Sequence, residues 1–225
     1  MSSADPVVLA LPFRGTWLAR NSPARKVPSH GTHLFATTYA IDFIAVRGRL
    51  TAATRDWRAL LATEPVERFF AFGMPILAPA AGTVVSVHDG VPDLVARRSQ
   101  PARIPYALTQ AARARGGAAG LAGNHVILEL AEHRGFVVLA HLRAGSVRVT
   151  AGEPVTTGQA MGECGNSGNS MQPHLHIQAM DSPDPWSARG LPMSFQDYRV
   201  WPRHGGPAVA VQRGVPGESE VVEAA

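Results

Sequence analysis

The sequence predicts a mainly β protein of short antiparallel strands, with long loop insertions and little helix. Three observations point there. Short apolar runs recur along the chain, among them YAIDFIAV at 39–46, HVILEL at 125–130 and FVVLAHL at 136–142, and their length suits strands. The 22 glycines and 18 prolines are spread between such runs, as many turns require. Hydrophobic residues make up 45% and charged residues only 17%, enough for a core and too few charges for a disordered chain. The 225 residues suit one domain with long loops better than two full domains.

Taken in order, residues 39–46 read as a buried strand carrying one polar residue, Asp42. Residues 56–72 begin like a helix, but Pro65 breaks the run. Pro75 and Pro79 bracket a short strand at 76–78, Gly82 marks a turn, and 83–88 form the next strand. Residues 90–123, rich in Ala, Arg and Gly, read as an insertion with a short helix near 106–115; loops of this length usually serve function or move. Strands resume at 125–130 and 136–142, joined by a charged turn. A Gly/Asn/Ser cluster at 165–170 leads to a last strand, HLHIQAM, at 174–180. The domain is expected to span 1–204, with 205–225 a loosely ordered tail lacking periodicity. No repeat of fixed period is visible.

The net charge of +4 and a pI near 10.0 would suit an anionic partner such as nucleic acid or a bacterial cell wall. Lys26 is the only lysine and the arginines are scattered. Without a stripe or motif, the expectation is general surface charge and no nucleic-acid partner. The single cysteine, Cys164, rules out an intramolecular disulfide and a cysteine-based structural zinc site. The N-terminus does not read as a secretory signal. No segment reaches the ~18 apolar residues of a membrane span.

His174 and His176 stand two apart in PHLHIQAM. In a strand their imidazoles share one face, while Leu175, Ile177 and Ala179 point to the other, the core side. Such a pair can ligate a metal jointly, or one can ligate while the other acts beside it; two surface histidines on an edge strand fit the bare spacing too. Asp42, flanked by Ile41, Phe43 and Ile44, costs free energy if buried alone. It needs a cation, a metal or backbone donors, unless it caps a turn at the strand end. A carboxylate with two histidines is a zinc set that leaves a position for water. His141 ends FVVLAHL, where a lone histidine is more often structural than catalytic.

The order of AIDF, PILAPAAGTVV, GNHVILEL, AHL and VTTGQAMGECGNSGNSMQPHLHIQ, spanning about 27–180, resembles the lysostaphin-type zinc metallopeptidases, which are peptidoglycan-hydrolysing endopeptidases. The resemblance implies two antiparallel β-sheets packed as a core, with the active site in a groove along one sheet. It implies Zn2+ as cofactor, peptidoglycan stem peptides or crossbridges as partner, and a cell-envelope or extracellular place of action. It makes His176 and Asp42 zinc ligands, and His174 and His141 the catalytic pair, one as base towards water and the other steadying the oxyanion. The third ligand is a histidine upstream of Asp42. Four residues before it, where the compact pattern has that histidine, stands Thr38, which leaves His30 and His33 in PSHGTHLF. His30 is the choice: Gly31 lets the backbone turn it back towards the metal, and longer-spaced relatives keep a similar Ser-His-Gly-Thr stretch. His33, before Leu34 and Phe35, is expected beside the site. No H-E-x-x-H is present, so a glutamate base of that type is excluded.

Two other readings share the core: a non-catalytic relative that binds cell-wall peptide or another protein, and a histidine phosphocarrier. The joint presence of Asp42, His141, His174 and His176 favours the enzyme.

Overall fold

The run IDFIA forms a strand buried along its whole length, β3 (Ile41–Ala45), near the middle of a large sheet. The computed structural model describes residues 5–225 apart from 55, 103–116, 133–134 and 204. Before β3 come β1 (Val7–Ala10) and β2 (Thr16–Arg20). After it come β4 (Pro75–Leu77), β5 (Gly82–His88), β6 (Asn124–Leu130), β7 (Phe136–Leu142), β8 (Pro154–Val155), β9 (Ala160–Glu163) and β10 (Leu175–Met180). The chain closes with β11 (Gly190–Leu191), β12 (Met193–Trp201), β13 (Val209–Gly214) and β14 (Val221–Ala224). The main sheet runs β1-β12-β14-β2-β3-β10-β7-β6-β5-β8, with β11 beside β10 and β13 beside β12. Its pairs are antiparallel except β1 with β12. β4 and β9 form a second, two-stranded sheet. The mainly β class of two sheets with little helix is what the sequence predicts.

Alternation decides which side chains enter the core. Ile41 and Phe43 of β3, Leu175 and Ile177 of β10, Val137 and Leu139 of β7, and Val126 and Leu128 of β6 are buried in one cluster. Ile76 of β4 and Met161 of β9 join it from the small sheet. Phe13 stacks on Trp17 with ring centres 4.5 Å apart and meets Phe43 edge-on at 4.9 Å; such contacts add to what burial alone contributes. The opposite face of β3, β10, β7 and β6 is left to line a groove.

Helix α1 (Trp57–Leu61) starts at Asp56, whose carboxylate accepts from Arg58 N, and ends well before Pro65. The helix expected near 106–115 lies outside the described residues. Around it the insertion is anchored. Buried Glu64 accepts from Arg98 Nε and Nη2 at 3.0 and 2.7 Å, a paired geometry that offsets the cost of burying the charge. Asp93 accepts from Asn166 N and Ala144 N. Among the described residues the insertion ends in helix α2 (Gly117–Ala122).

The tail expected to be loose at 205–225 is structured. β14 is inserted between β12 and β2, with Val222 opposite both Val200 and Trp17. Val221 and Val222 are buried, so a short apolar pair with no periodicity of its own is ordered by two long-range partners. No helix among the described residues is long and apolar enough to cross a membrane.

Candidate metal centre

Three adjacent strands bring the expected residues together. In the β3–β10 register His176 faces Asp42, and in the β10–β7 register it faces Ala140. Asp42 and His176 point to the groove face because their neighbours Ile41, Phe43, Leu175 and Ile177 fill the core. His174 lies just ahead of β10 and turns to the same side, its Nε2 3.7 Å from Asp42 Oδ1.

His141 reaches the groove by a different route. Strict alternation with Val137 and Leu139 would send it into the core. Instead its backbone takes a left-handed φ of 62°, and β6 opposite shifts register between Asn124 and Val126. Leu142 takes the core position, while His141 lines the groove beside Val138 and Ala140. A left-handed non-glycine residue costs about 1–2 kcal/mol, and irregularities of this kind re-aim side chains at functional sites.

His30 comes from a loop. Gly31 N donates to Pro28 O at 3.1 Å, and Gly31 has φ 79°, the conformation that favours glycine. The turn points His30 Nε2 at Asp42, 3.2 Å from Oδ1 and 3.3 Å from Oδ2. Ser29 Oγ donates to Thr37 O and lies 3.0 Å from His30 Nδ1. With its proton committed to the carbonyl, the hydroxyl accepts from Nδ1–H, and Nε2 is the nitrogen turned to Asp42. His33 is exposed, with Nδ1 3.1 Å from Thr38 Oγ1, and stands apart from the group.

His176 Nδ1 lies 3.0 Å from Asp42 Oδ1. One ligand atom each from His30, Asp42 and His176 fall within 4.8 Å of one another. On a tetrahedral zinc with bonds of roughly 2.0–2.2 Å, neighbouring ligand atoms stand about 3.3 Å apart. The two histidine-to-Asp42 separations match that spacing, and a donor set of two imidazoles and one carboxylate suits zinc. The residues therefore fit the metal.

Electrostatics follow from crowding. Burial works against the Asp42 carboxylate, yet His174 and His30, with hydrogen bonds from His176 and His30, hold its pKa well below the usual value. Burial also opposes charge on His176, but its hydrogen bond to Asp42 and that residue's charge outweigh it and raise the pKa. Burial, reinforced by His174 and His176, holds His141 well below the usual histidine range. Burial lowers His174 too, partly offset by Asp42.

Both flanking imidazoles have a fixed tautomer. His141 Nδ1 is 2.9 Å from Ser167 O and His174 Nδ1 is 2.8 Å from Gln172 O. A carbonyl only accepts, so each Nδ1 carries the proton and each neutral ring keeps a basic Nε2.

The sequence reading missed several partners. Asn21 Nδ2 donates to Asp42 Oδ2 at 2.7 Å, and no sequence signal marks it. Gln178 contacts His176 Nε2 through Oε1 at 2.9 Å; the alternation that pairs 174 with 176 extends to 178 and was the available signal. Two clefts meet at the centre. One of about 280 Å³ is largely apolar, with Phe35, Leu121, Val138 and Trp186 on its walls. The other, of about 330 Å³, is mixed in character and includes Arg20, Asn21 and Arg97 as well as Ile44 and Met171.

Comparison of the sequence with characterised proteins gives no match. Among solved structures, the chain is similar to the catalytic domain of the antimicrobial peptidase lysostaphin from Staphylococcus simulans, with 20% identity over 68% of this chain and 74% of that one, TM-score 0.38. It is similar to a zinc-containing peptidase from Vibrio cholerae, with 19% identity over 75% of this chain and 35% of that one, TM-score 0.37. A third is a mutant form of the catalytic domain of the prophage-encoded M23 protein EnpA from Enterococcus faecalis, with 17% identity over 84% of this chain and 90% of that one, TM-score 0.39. The model of peptidase family M23 matches residues 66–187, just over half of the chain. That stretch contains His141, His174 and His176, while His30 and Asp42 precede it and join them through the fold. The chain belongs to peptidase family M23, in keeping with its resemblance to the lysostaphin-type metallopeptidases.

Proposed function

We propose that this protein is a zinc-dependent endopeptidase that hydrolyses peptide bonds of bacterial peptidoglycan. The observation that carries the reading is the convergence of His30 Nε2, the Asp42 carboxylate and His176 Nδ1, with His141 and His174 beside them. His30, Asp42 and His176 would hold the metal. Zinc, when bound, supplies a Lewis acid that polarises a carbonyl and makes water more acidic.

This chain's own residues supply the proton transfers. His141 offers a neutral imidazole whose Nδ1–H is tied to Ser167 O, so Nε2 faces the site as a proton acceptor. His174 lies nearer the Asp42 charge, which favours its protonated form relative to His141. We therefore assign the base to His141 and stabilisation of the developing oxyanion to His174. The two clefts that meet at the centre give an extended peptide room to lie across it, one largely apolar and one with arginine and asparagine side chains. The net positive charge favours approach to an anionic wall polymer. That substrate places the enzyme's work at the cell envelope or outside the cell. A merely binding relative has no need of a complete set of metal donors with two tautomer-fixed bases, which favours the enzyme.

Purified protein loaded with zinc and incubated with purified peptidoglycan should release new free amino groups, and a chelator should stop the release. Intact peptidoglycan after incubation with zinc-loaded protein, across wall types with different crossbridges, would refute the activity.

A further inference from the structure

We propose that Gln178 is a positioning residue that fixes the tautomer of His176 and so frees Nδ1 for the metal. The proposal rests on the zinc-site reading and deepens it. Gln178 follows His176 by two on β10, on the same face, and is buried. Its Nε2 donates to Phe35 O at 2.8 Å, which commits the amide orientation and leaves Oε1 facing His176 Nε2 at 2.9 Å. An amide oxygen only accepts, so His176 Nε2 must carry the proton. The other ring nitrogen, Nδ1, is the one turned to Asp42 at 3.0 Å. With Nε2–H held, a metal meets an Nδ1 lone pair in a ring that cannot rotate without breaking the bond to Gln178.

The carbonyl that sets this amide is itself held in place. Phe35 and Ala36 both take left-handed φ values, 57° and 60°, an unfavourable arrangement for non-glycine residues that packing must maintain. The Phe35 ring meets Trp186 edge-on with centres 4.6 Å apart. Gly190 lies so close that a Cβ there would stand 2.5 Å from Ala36 O. A line of contacts thus runs from the Gly190 strand through the Phe35 carbonyl and Gln178 to His176. Ser29 plays the matching part for His30, so each metal-facing histidine has its second nitrogen engaged.

The test compares zinc affinity, by competition with a chromophoric chelator, for the unaltered protein, Gln178→Leu and Gln178→Glu. Leucine removes the acceptor at similar size, and zinc affinity should fall by ~10 to 100-fold. Glutamate restores an acceptor to His176 and should recover affinity to within about threefold, although it cannot donate to Phe35 O. Nitrogen-15 spectra of the unaltered zinc-loaded protein supply a second measure independent of how the variants fold. They should show His176 protonated at Nε2 and metal-bound at Nδ1. Unchanged affinity in Gln178→Leu, or metal on Nε2 of His176, overturns the proposal and leaves the zinc site standing. Absence of zinc binding by the unaltered protein overturns both.

Discussion

The backbone of His141 shows how a single residue departs from what a strand dictates. The run FVVLAHL is legible as a strand, and alternation places Val137 and Leu139 inward. The left-handed turn that swings His141 out to the groove has no signature in the sequence, because only a few per cent of non-glycine residues adopt that region and no glycine or asparagine stands there to mark it. Asp42 and His176 were legible for a simpler reason: each interrupts an apolar alternation, and a polar group placed there needs a partner. Asn21 was not, since its hydrogen bond to Asp42 depends on a pairing of β2 with β3 that local pattern does not reveal. Two predictions belong at this scale. His141→Ala and His174→Ala should each lower turnover by roughly a hundredfold or more while bound zinc stays near normal. Loss of metal from His174→Ala, read by metal analysis, would make that residue a ligand. His30→Ala should lose zinc affinity far more than His33→Ala, because His33 faces Thr38 and not Asp42. Equal losses in the two variants would contradict the assignment.

Among the elements, strands with strong alternation fall where the apolar runs place them, and those without it do not announce themselves. β14 is the clearest case. VVEA alone carries too little pattern to be separated from the Gly- and Pro-containing stretch before it, and only its pairing with β12 and β2 orders it. Ending the chain after Gly214 removes Val221 and Val222 from the interior. At about 1.5–3 kcal/mol for each buried side chain, the truncated protein should melt well below the full chain. An unchanged melting temperature would restore the picture of a loose tail. The stretch between β5 and β6 stands out by its composition, whereas its anchoring through Glu64–Arg98 and Asp93 is tertiary and does not. Its last helix, α2, brings Leu121 and Ala122 to the wall of the apolar cleft. We expect Leu121→Ala to change the rank order of peptides cleaved while altering stability by less than about 1 kcal/mol, since Leu121 is only partly buried. A substrate profile identical to that of the unaltered protein would remove α2 from the account of specificity.

Across the whole molecule, one sheet does two jobs. Its inner face, which includes Trp17 and Phe43, packs against β4, β9 and Phe13, and its outer face carries the groove. Because the core face is filled by Ile, Leu, Val and Phe, the fold is expected to stand without a metal. Cys164 belongs to that scaffold: it is wholly buried, and burial pushes its thiol pKa up, so it is no rival ligand. The mainly β class was legible from the short runs and spread turns. The strand order, with β14 inserted between β12 and β2 and one parallel pair at β1–β12, was not, because such pairings join residues far apart in the chain. The central claim is that His30, Asp42 and His176 hold one zinc ion. Metal analysis of the purified protein tests it most directly. About one zinc per chain is predicted, the number for a single three-ligand site, removable by a chelator with the β circular-dichroism signal intact. A protein that carries no zinc and takes up none on addition would contradict the claim.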